Sequence, residues 1–140
     1  MSLPYDLDEV RHRPSMYLPS PHFDVAAAYV MGIDAACNGG FLEGFREWLI
    51  PMVNSGNNLA WTELVLRIAF PQTNNPRDLI HQSSDSAIAI ECLFHCLEEF
   101  LTTKQQDKGL RFIHERYQKW LRSQDWYSSS EPIGDNRTES

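Results

Sequence analysis

The apolar residues of this chain recur with the period of an α-helix along nearly its whole length. The clearest repeat, from Trp61 to Ala69, places apolar side chains on one side of a helix. Longer repeats cover residues 85–103 and 108–125. No run of alternating apolar and polar residues is long enough to predict a strand. The sequence therefore predicts an all-α fold.

Prolines, glycines and polar turns divide this pattern into separate helices. Pro14 ends a short first helix, because the residue before a proline disfavours the helical conformation. Asp24 is predicted to cap the next helix, which Gly39-Gly40 ends. A third helix begins at Phe41 and is broken or kinked by Pro51. We predict a single compact bundle of five or six helices.

Length and composition indicate one globular domain. The chain has 140 residues, of which 42% are hydrophobic and 22% charged. We predict a single helical domain over residues 1–127 and a flexible, disordered C-terminal tail over residues 128–140, where little can be buried. No apolar run approaches the roughly 20 residues that cross a bilayer, and the N-terminus has no secretion signal. We therefore expect a cytoplasmic protein with no membrane contact.

Charge is distributed unevenly along the chain, whose net charge is −7. Residues 1–103 carry 5 basic and 13 acidic side chains, a net of −8, whereas residues 104–125 carry 6 basic and 3 acidic, a net of +3. We refer to residues 1–103 as the acidic body. Phosphate binding needs clustered cations, so we expect the acidic body to have no nucleic-acid partner. The same body would attract a cationic protein.

The segment RHRPSMYLPSPHF, residues 11–23, resembles the R-x-R-P-G-M-Y-[IL]-G loop of gyrase-type ATPases. The chain has none of the other nucleotide-binding motifs of that family, and Ser15 and Pro19 replace the glycines of the loop. A structural interpretation is simpler. The prolines stiffen the connection between two helices, and the core anchors of the loop are predicted to be Met16, Tyr17 and Leu18.

Glu91, His95 and Glu98 form one polar stripe on the predicted helix 85–103, since their spacings of four and three residues match the helix. Two carboxylates and an imidazole could hold a metal ion or perform acid–base chemistry. A metal site would need ligands from another helix, and no second motif supplies them. We expect a plain solvated surface, or a surface that binds protein, with no enzymatic activity, cofactor or metal. The alternatives are a helical enzyme or metal-binding domain that uses these three residues, and a ligand-binding regulatory domain.

The three cysteines and the last helix carry no recognisable site. Cys37, Cys92 and Cys96 lie in apolar helical patterns and are predicted to be buried free thiols. The last helix is basic, but ion pairs four residues apart, such as Arg111 with Glu115, explain its charges. Whether Trp126-Tyr127 packs on the body or is exposed stays open.

Five motifs are distributed over about residues 11–100 of the chain. They are Arg11-x-Arg13-Pro14-x-Met16-Tyr17-Leu18, Gly32-x-x-x-Ala36, Phe45-x-x-Trp48-Leu49, Trp61 after a polar turn, and Phe94-x-x-Leu97-x-x-Phe100. Together they resemble the small all-helical immunity proteins encoded beside bacterial polymorphic toxins and contact-dependent growth inhibition toxins. This resemblance implies a protein that binds and neutralises a cognate toxin without catalysis. Such toxins are often cationic nucleases.

The sequence thus leads to the hypothesis of an acidic, cytoplasmic immunity protein that is a monomer or weak homodimer. Its partner would be the cognate toxin domain. Carboxylates of the acidic body, with one histidine beside them, form the predicted contact set: Glu43, Glu47, Glu63, Glu91, His95, Glu98 and Glu99.

Overall fold

Helices and the loops between them make up all of residues 3–126, the part of the chain that the computed structural model describes. The prediction of an all-α fold is confirmed. Two of the eight helices in this part, α2 and α6, are single turns of four residues, and the other six correspond to the predicted elements. The predicted tail, residues 128–140, and Tyr127 lie outside the described residues. The helices are α1 (Leu7–His12), α2 (Pro14–Tyr17), α3 (Phe23–Ala36), α4 (Phe45–Val53), α5 (Trp61–Ala69), α6 (Pro76–Leu79), α7 (Ser83–Gln105) and α8 (Gly109–Arg122).

Helix α7 is the central element of the fold. It has 23 residues and packs against α1, α3, α4, α5 and α8. One side of it is apolar and buried, from Ala89 to Leu101, whereas Glu91 and His95 on the opposite side are exposed. Within residues 3–126, no helix is both long enough and apolar enough to cross a bilayer.

Aromatic rings fill the core where α4, α5 and α7 meet. The ring centroid of Phe45 lies 5.0 Å from that of Phe100 and 5.6 Å from that of Trp61. Trp48 lies 6.1 Å from Phe100. Phe45 and Phe100 are fully buried. Each buried ring of this size contributes about 1.5–3 kcal/mol through the hydrophobic effect, so this cluster stabilises the centre of the bundle.

Helix α4 begins later than the sequence predicts. It begins at Phe45 rather than Phe41, because Gly44 before it has φ +92° and ends the preceding turn. A Cβ at Gly44 would also lie 2.8 Å from the side chain of Leu110. Pro51 lies inside α4 without ending it, and the helix continues to Val53.

Helix α3 is capped by a different residue from the one predicted. The ring Nδ1 of His22 accepts a hydrogen bond from the backbone N–H of Asp24 at 3.1 Å, so His22 is the N-cap. The predicted cap, Asp24, instead lies in the first turn and pairs with Arg77. The helix ends at Ala36, two residues before Asn38 adopts a positive φ of 55°.

The prediction that Met16, Tyr17 and Leu18 anchor the loop in the core is wrong for two of the three. Met16 is 69% exposed and Tyr17 is 41% exposed, whereas Leu18 is buried. The reason is that residues 14–17 form a helical turn on the surface, and none of its four residues is buried. Only Leu18, in extended conformation after that turn, enters the core.

The cysteines are free, but only Cys96 is buried as predicted. Cys37, which follows the last residue of α3, and Cys92 on α7 are half-buried and pack against the core. A hydrogen bond between the thiols of Cys92 and Cys96 lowers the pKa of Cys92 and raises the pKa of Cys96. The Sγ atom of Cys92 also lies 3.8 Å from the carbonyl oxygen of Val65 on α5.

Candidate protein-binding surface

All seven residues of the predicted contact set lie at the surface of the protein. Glu43 precedes α4, Glu47 is on α4, Glu63 is on α5, and the other four are on α7. Glu43, Glu91, His95 and Glu99 are exposed, and Glu47, Glu63 and Glu98 are half-buried. The set is therefore distributed over three helices rather than gathered in one cleft.

The α7 members form one continuous polar stripe, as their spacing predicts. Glu91, His95 and Glu98 follow one another along the outer side of the helix, and Glu99 lies next to them. The stripe also includes an apolar residue, because Ile88 is 51% exposed one turn before Glu91. The exposed stripe therefore combines carboxylates, an imidazole and one aliphatic side chain.

Arg11 on α1 holds two of these carboxylates in place. Its Nε donates to both carboxylate oxygens of Glu91 at 3.1 Å, and its guanidinium also donates to Glu98 at 3.2 Å. The Arg11 side chain is only 17% exposed, whereas that of Glu91 is 59% exposed. We refer to these three residues as the Arg11 clamp. It joins α1 to α7.

The contact between Arg11 and Glu91 favours the charged form of both groups. The hydrogen bond to Glu91 is the main cause that raises the pKa of Arg11. The same bond lowers the pKa of Glu91 below its ordinary value, although partial burial opposes the shift. The arginine thus offsets part of the negative charge that the sequence assigns to this stripe.

The two carboxylates of this predicted site, Glu91 and Glu98, are both ion-paired with Arg11. A metal ion there would have to displace the guanidinium from both carboxylates. Within residues 3–126, no group of three or more His, Cys, Asp or Glu side chains has the arrangement needed to hold a metal ion. The contacts show a structural role for Glu91 and Glu98, because both carboxylates join α7 to Arg11 on α1.

A second arginine restrains Glu63 in the same way. The Nε of Arg77 donates to Glu63 at 2.9 Å, and its Nη1 donates to both carboxylate oxygens of Asp24 at 3.0 Å. The hydrogen bond to Glu63 is the main cause that raises the pKa of Arg77. This pairing connects α3, α5 and α6, so Glu63 is less available to a partner than its sequence context predicts.

The remaining contact residues, Glu43, Glu47, His95 and Glu99, form no ion pair within the described part of the chain. Glu43 lies near Lys104, whose ammonium group donates to the carbonyl oxygens of Gly40 at 2.6 Å and Phe41 at 3.3 Å. Partial burial lowers the pKa of Lys104. The six carboxylates of the predicted set thus form two groups. Arginines bind three of them, and the other three have no arginine partner in the described part of the chain: Glu63, Glu91 and Glu98 in the first group, and Glu43, Glu47 and Glu99 in the second.

The two arginines are the residues of this surface that the sequence-based prediction did not include. Arg11 stands four residues after Leu7, which is buried, so its position on the inner side of α1 could have been inferred. No local signal of this kind exists for Arg77, because its partners are 14 and 53 residues away in the sequence.

An apolar hollow of about 230 Å³ adjoins the Arg11 clamp. Pro14 and Pro21 line it from the proline-rich loop, and Ala87 and Ile90 line it from α7. Met16 and Tyr17, for which the sequence predicted a position in the core, are exposed on α2. The surface near the acidic stripe therefore also offers apolar contacts.

Comparison with protein-family models, with curated proteins and with solved structures finds no match for this chain.

Proposed function

We propose that this protein is a cytoplasmic immunity protein that binds and neutralises a cognate bacterial toxin, a cationic nuclease, by non-catalytic protein–protein inhibition. The observation that carries the proposal is the net charge of −8 over residues 1–103, together with the surface position of all six predicted contact carboxylates. A nuclease presents cations to its anionic substrate. A surface rich in carboxylates can occupy the same cations.

The negative charge of the protein would act mainly on the rate at which the protein and the toxin associate. Complementary potentials raise association rate constants from about 10⁵–10⁶ to about 10⁸–10⁹ M⁻¹s⁻¹ at low salt. Fast association benefits an inhibitor, because a toxin molecule that is still unbound continues to act. Glu43, Glu47 and Glu99 contribute most directly, since no arginine of the described chain neutralises them.

Apolar contacts would then determine how long the complex lasts. Aromatic, Met and Arg side chains are enriched in protein interfaces, and buried anchors in the centre of an interface supply most of its affinity. Met16 and Tyr17 are exposed on the helical turn α2, so the backbone that carries them is already ordered before binding. In this proposal they form the apolar part of the toxin contact.

The test is co-expression of the chain with the product of the reading frame immediately upstream of its own gene. Rescue of growth from a toxic product, together with a stable complex on size-exclusion chromatography, is the expected result. A chain that neither rescues growth nor forms a complex would contradict the proposal, as would turnover of a substrate by the isolated chain. Near-stoichiometric metal in the purified protein would instead support the metal-binding alternative at Glu91, His95 and Glu98.

A further inference from the structure

Helix α8 presents a face that nothing in the described chain covers. Only Gly109 and Ile113 of this helix are fully buried. On the outer side Phe112 is 55% exposed, and Lys108, Arg111 and Glu115 beside it are also exposed. A large exposed aromatic ring surrounded by charges is typical of the centre of a protein contact.

The charges around Phe112 are of both signs. Asp107, Lys108, Arg111 and Glu115 line a shallow hollow of about 310 Å³ together with Phe112. Arg111 and Glu115 pair along the helix at 3.1 Å, and their side chains remain 68% and 66% exposed. Such an exposed pair contributes little to stability, so it can exchange or share partners at small cost.

We propose that this face binds the same face of a second copy of the chain, with the two α8 helices antiparallel. A two-fold interface requires a self-complementary patch. If one residue of the first copy contacts a second residue of the other copy, the reverse contact also forms. A two-fold axis between Arg111 and Phe112 puts Lys108 of each copy opposite Glu115 of the other. It also puts the guanidinium of Arg111 beside the ring of Phe112 of the other copy, which favours a cation–π contact.

The charge pattern favours a second copy over a strongly charged partner. An anionic partner such as nucleic acid would meet Asp107 and Glu115 on this face, and a cationic partner would meet Lys108 and Arg111. An antiparallel copy instead places Lys108 opposite Glu115 at each end of the contact. The inference does not depend on the toxin proposed above, because the acidic contact set lies outside α8.

The size of the face predicts weak association. A helix of 14 residues is about 21 Å long. With a width of about 10 Å it offers roughly 200 Å², well below the ~800 Å² per partner of a stable complex. We therefore expect a dimer that forms at high micromolar concentration and dissociates on dilution or when salt is added.

The experiment is sedimentation velocity of the full chain from about 20 µM to about 1 mM, at about 0.05 M and about 0.5 M NaCl. The expected result is a concentration-dependent dimer at low salt that is weakened at least tenfold at high salt. Lys108→Glu and Glu115→Lys should each weaken dimerisation at least tenfold, because each places like charges opposite one another. The combined variant should dimerise as the wild type does, because it restores both opposite-charge contacts.

Matched controls separate this contact from net charge. Arg13→Glu and Glu9→Lys make the same charge changes at exposed residues near the N-terminus and should leave dimerisation unchanged. A monomer at the highest concentration in low salt would overturn the inference, as would single variants that dimerise normally or a combined variant that does not recover. Binding of a labelled single-stranded oligonucleotide that Lys108→Glu abolishes and the combined variant does not restore would overturn it in favour of a phosphate-binding face.

Discussion

Arg11 shows how one side chain changes the chemistry of its neighbours. Its guanidinium is mostly covered and bonds to carboxylates 80 and 87 residues further along the chain. Glu91 is consequently a more acidic group than an isolated glutamate, with a lowered pKa. A group whose pKa is lowered in the folded state adds stability above its ordinary pKa of 4.5, and that stability is lost as the pH falls through the lowered value.

Glu91→Gln is therefore expected to destabilise the protein in a pH-dependent manner. At pH 7 the loss should be about 0.5–1 kcal/mol, a modest value because the Glu91 side chain is 59% exposed and screened by solvent. The loss should disappear once the pH falls below the lowered pKa of Glu91. Urea unfolding at neutral and strongly acidic pH measures it, with Glu99→Gln as the control that lacks an arginine partner. An equal loss at both pH values would contradict an electrostatic origin.

Gly109 is required by the close approach of two helices. A Cβ at this position would lie 2.3 Å from the carbonyl oxygen of Thr103 and 2.5 Å from that of Lys104. Gly109→Ala should therefore cost about 2–4 kcal/mol of unfolding free energy, because backbone must move. At Gly32 on α3, a Cβ would meet no other atom within 4 Å, so Gly32→Ala should stabilise by up to about 1 kcal/mol. Chemical denaturation that gave similar effects for both would refute this account of the α7–α8 turn.

At the scale of elements, the positions of the helices follow from local sequence more closely than their caps do. The α5 and α8 patterns lie within a few residues of the helices observed, because apolar periodicity reports directly on a buried side. The start of α4 and the cap of α3 differ from the prediction. They depend on the positive φ of Gly44 and on a histidine ring nitrogen that accepts a hydrogen bond, and neither feature is visible in a hydrophobic pattern.

The loop between α4 and α5 depends on one arginine for its conformation. The Nε of Arg46 donates to the carbonyl oxygen of Leu59 at 2.7 Å, and its guanidinium also donates to the carbonyl oxygen of Asn57. Arg46→Met should cost about 1–3 kcal/mol, because it leaves half-buried carbonyls without a donor. Amide hydrogen exchange in residues 54–60 should become faster.

Arg67→Met is the matched control for that loop, because Arg67 is half-buried like Arg46 and makes no hydrogen bond or ion pair among the described residues. We expect it to leave exchange in residues 54–60 unchanged. If Arg46→Met left that exchange unchanged as well, the loop would be held by its own turn hydrogen bonds, such as that between Leu59 and Gly56.

At the scale of the whole molecule, the important property is the separation of charge between the acidic body and the mixed face of α8. We expect the body to determine the rate of toxin binding. Reversal of charge at Glu43, Glu47 and Glu99 should lower the association rate constant at least tenfold at low salt and reduce its salt dependence, with a smaller effect on dissociation. Stopped-flow mixing with the toxin domain measures both.

Two comparisons make that kinetic test specific to the proposed surface. Reversal at Glu91 and Glu98 should also slow association, but it removes the Arg11 clamp, so unfolding must be measured in parallel. Reversal at the exposed acidic residues Glu9, Asp78 and Asp125 makes the same change in net charge outside the contact set. An equal reduction in rate for this control would show that total charge, rather than the proposed surface, controls association.

The sequence by itself determined the fold class and the approximate position of the main helices. Apolar periodicity and the residues that interrupt it are local properties, so one sequence is enough to read them. It also determined that the excess of acidic over basic residues lies before residue 104.

Only the tertiary structure decided which of those charges are open to a partner. Arg11 reaches Glu91 across 80 residues and Arg77 reaches Asp24 across 53, and such pairs form because helices distant in sequence pack side by side. The same packing left Met16, Tyr17 and Phe112 at the surface, although their apolar character alone had favoured the interior for the first two. Burial and ion pairing depend on which helices meet, and a single sequence does not specify those contacts.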